Sequence, residues 1–224
     1  DDEGAAQQEA AERVADDADG AAELAQQPCE AGDDARNGFE RGEVAEEARA
    51  VAGDRECGRD FLASLEPFIW RKHLDFAAVE DVHSIKRQIL SAHKSAELGD
   101  AVFDVKLGRG GIRDIELFAQ TQQLILGGRN KKLRAQGTLA ALDALTEAGA
   151  IAGEARDALQ EAYVFLREVE HRIQMLEDAQ THRVPGDPET RARVAALAGF
   201  EDLAAFDAAL IERRRIVSDI DHQL

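Results

Sequence analysis

An all-α fold, a bundle of about six helices, is what this 224-residue chain predicts. Strong helix formers dominate it, while aromatic residues make up only 5%. Apolar residues recur at i, i+3, i+4 and i+7 in one segment after another. Glycine, proline and helix-capping residues punctuate those segments at short intervals. An apolar fraction of 44% is ordinary for a globular protein with a buried core.

Residues 1–52 stand apart. They are rich in Ala, Asp and Glu, hold one aromatic residue, Phe39, and carry most of the formal net charge of −18. So few large apolar groups cannot offset an ordering cost of roughly 1–2 kcal/mol per residue, so a poorly ordered acidic segment is expected. Residues 53–224 form the expected helical domain. It opens with "CGRDFLASLEPFIWRKHLDF", whose Phe61, Leu62, Leu65, Phe68, Ile69, Trp70, Leu74 and Phe76 are dense enough to predict a packed core. Pro67 marks a kink or a restart of that helix.

Val79, Val82, Ile85 and Ile89, with His93 on the flank, give the next amphipathic helix, which Gly99 closes. "VFDVKLG" is short, β-branched and apolar and predicts an extended segment or a single strand. Ile112, Ile115, Phe118, Ala119, Gln122 and Ile125 lie on one face of a helix that Gly127-Gly128 ends. A basic loop follows, then a helix capped by Thr138 and stopped at Gly149. The longest periodic segment carries Leu159, Tyr163, Leu166, Val169, Ile173 and Leu176 and is expected to run to just before Pro185. Two more helices complete the bundle, with Asp187 and Asp202 as caps and Pro188 at a first helical position.

The charge balance argues against nucleic acid or an anionic membrane as a partner. No apolar run approaches the roughly 20 residues that span a bilayer. Two cysteines, Cys29 and Cys57, at no metal-ligand spacing and with no secretory signal before them, point to a reducing cytoplasmic setting. The chain starts at Asp1, and a fragment is the expectation.

"KLGRGGIRDIE", residues 106–116, is the motif with chemical promise. Its glycines let backbone approach an anion, and the amides of Gly110, Gly111 and Ile112 would stand at a helix N-terminus, where the dipole favours negative charge. Lys106, Arg109 and Arg113 could add charge-assisted bonds to a phosphate. No Gly-Lys-Ser/Thr makes it a Walker A loop, and no strand–helix–strand unit makes it a dinucleotide fingerprint. The competing reading is a tight turn that allows close helix packing, with Arg113 paired to Asp114, Glu116 or another carboxylate.

Other polar clusters carry less. His171 and His182 are eleven apart, roughly 16 Å on one continuous helix, too far to share an ion. With Gln174 and Gln180 they are expected in a polar layer between helices. His73, His83 and His93 lack a carboxylate pattern that would make them ligands. "GGRNKKLR" and "ERRRIV" are expected to be solvated basic stretches complementing helix ends, with an anion or partner contact as the alternative. No catalytic residue and no metal-ligand set is legible.

The run "DVKLGRGGIRDIELFAQTQQLILGGRNKKLRAQGTLAALDAL", followed by "AYVFLREVEHRIQMLEDAQTHRVP", closely resembles the glutamine synthetase adenylyltransferase family. "EPFIWRKHLDF" and "RRRIVSDIDHQL" are similar to its segments too, so the resemblance covers about residues 50–224. A shorter form of the glycine motif is also seen in PII uridylyltransferases. The resemblance implies enzymes that add AMP to a tyrosine of glutamine synthetase and remove it by phosphorolysis. It also implies ATP or ADP and Mg²⁺ as cofactors, and glutamine synthetase and the PII protein as partners.

In that family each half pairs a nucleotidyltransferase head, marked by Gly-Ser and then Asp-x-Asp, with a helical bundle. This sequence holds no Gly-Ser-Asp-x-Asp, and Asp16-Asp17-Ala18-Asp19 reads as a solvated acidic face. The expectation is a helical domain without its catalytic head, inactive alone, whose Lys106, Arg109, Gly110, Gly111 and Arg113 face the nucleotide of a neighbouring head. The "EHRIQMLEDAQTHRVP" form resembles the first, AMP-removing half. Residues 1–52 have the composition of a diverged tail or of a frameshifted GC-rich gene. The alternatives are a non-catalytic helical interaction module and a PII uridylyltransferase-like domain.

Overall fold

A computed structural model describes residues 53–72, 79–81, 84, 87–88 and 97–221. The expectations for residues 1–52, Cys29, the Asp16–Asp19 cluster, His73, His83 and His93 lie outside them. So does most of the helix expected after Phe76, of which residues 79–81, 84 and 87–88 are described, all helical.

Among the described residues the further elements are six α-helices and one 3₁₀ turn: α1 (Arg55–Ile69), α2 (Ile112–Leu126), the turn Lys131–Leu133, α3 (Thr138–Glu147), α4 (Gly153–Glu177), α5 (Pro188–Leu197) and α6 (Leu203–Asp221). The all-α bundle is as expected. α2 is its centre, packed against α3, α4 and α6, while α5 closes the side between α4 and α6. Ile115 and Phe118 of α2, Leu142 of α3, Leu166, Val169 and Ile173 of α4, and Phe206 and Leu210 of α6 are all buried in one core. Each such side chain contributes about 1.5–3 kcal/mol by leaving water.

Local signals placed most helix ends. Asp54 caps α1, its carboxylate accepting from the amides of Glu56 and Cys57. Asp187 caps α5 by accepting from Thr190 N at 2.8 Å, with Pro188 in the first turn, and Asp202 accepts from Ala205 N at 2.7 Å at the start of α6. Gly149, at φ +71, follows α3. Thr138 is not a cap: Gly137 takes that position at φ 85, a conformation that excludes a threonine there, and Thr138 is the first helical residue.

Further expectations change. α2 is buried almost all round, Leu117, Gln120, Thr121 and Gln123 included, because neighbours surround the central helix; Gln122 and Ile125 are only half-buried. α4 stops at Glu177, not before Pro185. Asp178 turns left-handed at φ 46, and the chain then runs back to pair Asp104 with Arg183, with Val105 N donating to His182 O and Val184 N to Phe103 O, both at 2.8 Å. That pairing draws residues 182–184 out of the helix; of the segment expected to be extended, Asp104 forms the bridge while Val105–Leu107 turn.

α1 runs unbroken through Pro67 but buries no residue at all; Phe61 is 61% exposed and Phe68 50%. Its apolar density is not core packing. Among the described residues, its ties to the bundle are at its C-terminal end. Glu66 pairs with Arg134, whose guanidinium also stacks 5.2 Å from the Trp70 ring, and Arg129 donates to the Lys72 carbonyl. Gly127 and Gly128 give the room: a Cβ on Gly127 would meet the Trp70 ring at 2.6 Å, and one on Gly128 would overlap the Arg71 carbonyl. Through Arg129 and Arg134 the basic loop is therefore a clamp, while the side chains of Arg129, Lys131 and Lys132 are exposed, as expected.

Candidate functional site

The glycine motif folds into a tight loop at the start of α2. The Asp104 carboxylate accepts from the amides of Lys106 (2.9 Å) and Leu107 (2.8 Å), and Gly108 N donates to Asp104 O. The loop then meets α6. A Cβ on Gly110, whose φ is +75, would overlap the Arg214 carbonyl, and one on Gly111 would stand 2.6 Å from Gly108 O and 2.7 Å from Val105 O. Close backbone packing is one physical reason for these glycines.

The three amides expected to face an anion are engaged within the chain. Gly110 N donates to Asp114 Oδ2 at 2.7 Å, Gly111 N to Gly108 O at 2.8 Å and Ile112 N to Val105 O at 2.9 Å. Arg113 N likewise donates to Lys106 O. Asp114, a buried carboxylate one turn into α2, stands where an external anion would. Gly110 and Gly111 are themselves buried, so what the loop presents outward are side chains: Arg109 is exposed, Lys106 and Arg113 half-buried.

Arg214 locks this loop in place. Fully buried, it donates to the carbonyls of Arg109 (3.1 Å), Glu97 (3.0 Å) and Asp100 (2.5 Å) and lies 3.9 Å from the Phe103 ring centroid. Burial pushes its guanidinium below the ordinary value, an effect that the charges of Asp100 and Asp114 oppose. Of the "ERRRIV" stretch, expected in solvent, Glu212 and Arg215 are exposed, while Arg213 is half-buried and stacks on Phe165. Arg109 Nε donates to Ser218 Oγ at 3.2 Å, a second tie from loop to α6.

Beside the loop runs a track of charged and polar groups that joins the two motifs carrying the resemblance. Arg113 lies 3.8 Å from Glu116, and Glu116 Oε1 is 3.6 Å from Arg167 and 3.4 Å from the Tyr163 hydroxyl. Arg167 Nη1 donates to Glu170 Oε2 at 2.8 Å, and Glu170 Oε1 meets His182 Nδ1 at 2.7 Å. Gln174 touches His182 at 3.4 Å. Burial alone would lower the Arg167 guanidinium, but its bonds to Glu170 and Tyr163 outweigh this and hold it above its ordinary value.

His182 and Gln174 thus fall in a polar layer as expected, though His182 stands on the extended segment and not on a helix. His171 and Gln180 do not, for both are exposed. Glu116 was named by sequence as a candidate partner of Arg113, and that pair forms; Arg167 and Glu170 were not singled out. Their signal was a polar stripe at 163, 167, 170 and 174, helical spacing that the neighbouring apolar stripe masked.

The family model described as GlnD PII-uridylyltransferase matches residues 83–224. Bifunctional glutamine synthetase adenylyltransferase/adenylyl-removing enzymes from Agrobacterium fabrum, Bradyrhizobium diazoefficiens and Xanthobacter autotrophicus are 57%, 52% and 54% identical to this chain. Each match covers 76% of the chain, which spans only 17% of the length of these relatives. The cationic rim, the track beside it and well over half of the chain lie inside the family model, and the chain belongs to the GlnD PII-uridylyltransferase family.

Proposed function

We propose that this chain is a helical domain of a bifunctional glutamine synthetase adenylyltransferase/adenylyl-removing enzyme and that it acts beside a catalytic head lying elsewhere in the enzyme. The observation that carries this reading is identity above 50% to such enzymes along a match that runs through both halves of the ion track. In this reading Lys106, Arg109 and Arg113 form the rim that meets the phosphates of ATP or ADP. Arginine forks and a lysine point charge suit phosphate oxygens, and they stabilise charge that develops during transfer. The site works through side chains alone, since its amides are engaged.

Mg²⁺ would be held by the head. Among the described residues no group of three His, Cys, Asp or Glu side chains could hold a metal ion. The acceptor is glutamine synthetase, and the PII protein is the proposed controlling partner. The engaged amides favour one other reading, a non-catalytic interaction module. The description of the family model favours a second, a uridylyltransferase-like domain.

Calorimetric titration of ATP, ADP and UTP, with Mg²⁺, into the chain and into an Arg109→Ala/Arg113→Ala variant separates these readings. Binding of adenine nucleotides in preference to UTP, lost in the variant, is the expected result. No heat in either protein, with the helical circular dichroism intact, makes the chain an interaction module. A preference for UTP moves it to the uridylyltransferases.

A further inference from the structure

We propose that the apolar face of α1 is an interdomain docking surface, and that another domain of the same full-length enzyme occupies it. The inference rests on the functional reading above, in that it takes this chain as part of such an enzyme. Phe61, Leu62, Leu65, Phe68 and Ile69 fall within about 120° of arc on one side of α1. None is buried, and Phe61 and Phe68 are more than half and half exposed, whereas Phe103 and Phe206 in the core are at 1% and 0%. Among the described residues no helix lies along the length of α1, which is fastened at its C-terminal end by Glu66, Trp70 and the Gly127-Gly128 clamp. A helix this amphipathic is stable when its apolar face is covered.

What covers it follows from where α1 sits in the matches. A match of 171 residues in a chain of 224 leaves 53 outside, so it contains α1 wherever it begins, whereas the family model starts at residue 83, beyond α1. The helix is thus shared with the long enzymes and stands outside the family core, and five-sixths of each such enzyme lies beyond the match. Residues 1–52 hold one aromatic residue and cannot supply an apolar seat. A second copy would bring together two chains of net charge −18. The occupant therefore presents an apolar groove that takes Phe61, Leu65 and Phe68 as i, i+4 and i+7 anchors. Its lip is acidic where it faces Arg55 and Arg59, which share one flank of α1.

Hydrogen–deuterium exchange on the intact Agrobacterium fabrum enzyme and on this chain, side by side, tests the proposal. The α1 amides are expected to exchange at least tenfold more slowly in the intact enzyme, while those of α4 exchange equally in both. Equal α1 exchange overturns the proposal. So does a dimeric chain with α1 already protected, which makes a second copy the occupant, or a protected monomer, which makes residues 73–96 the occupant. A chimera carrying residues 54–224 in place of the matched part of that enzyme separates the two readings. Lost adenylyl transfer with α1 still protected counts against the function alone; retained transfer with α1 unprotected counts against docking alone.

Discussion

Gly110 and Gly149 both sit at positive φ, +75 and +71, yet they answer different demands. Nothing lies within 4 Å of a Cβ on Gly149, so Gly149→Ala meets only the left-handed backbone penalty, about 1 kcal/mol. Gly110→Ala adds a clash with the Arg214 backbone, and its cost is expected at about 2–4 kcal/mol in urea titrations of the two variants. Arg214 is the other half of that joint. Arg214→Ala empties a fully buried site and removes the donor to three part-buried carbonyls, and is expected to cost about 3 kcal/mol, read by the same titration. Arg214→Lys reaches fewer of those carbonyls and falls in between.

α4 carries two stripes at once, an apolar one from Leu159 to Ile173 facing the core and a polar one from Tyr163 to Gln174 facing the loop. Its register is therefore set twice. Because Arg167 is about one-third exposed while Glu170 is buried, their double-mutant cycle to Ala is expected to give a coupling of roughly 1–2 kcal/mol, below that of a fully buried pair. α5 has a simpler start. The Thr190 amide and hydroxyl hold the Asp187 carboxyl below the usual carboxylate range. A depressed carboxyl stabilises the fold above its unfolded pKa of about 4 and loses that contribution as pH falls through the folded value. The stability gap between wild type and Asp187→Asn is therefore expected at pH 6 and should vanish as pH falls from 4 toward 2, followed by thermal melts across that range.

At the level of the whole chain, α2 is enclosed by α3, α4 and α6, and the glycine loop is held between α2, α6 and the returning segment 182–184. We propose that the domain boundary lies at residue 52/53, where the composition changes. Residues 53–224 prepared alone are then expected to melt within about 2 °C of the full chain, since the described core draws nothing from before Phe103. A fall of 10 °C would place part of the fold in the first 52 residues.

Helix positions were legible because periodicity and capping act within a few residues: the Leu159–Ile173 stripe and the Asp187-Pro188 start are local patterns with local causes. The glycine loop was legible as a special place but not as a joint, because its partner Arg214 is more than 100 residues away and looks like any surface arginine of a basic stretch. Whether its amides were open to an anion depended on Asp114 and on carbonyls that only the folded loop brings near. The Phe61–Ile69 stripe read as core by the same local rule that found the buried Leu159–Ile173 stripe of α4. Sequence periodicity states which face of a helix must leave water; what that face leaves water against is a long-range matter, settled only when the elements pack.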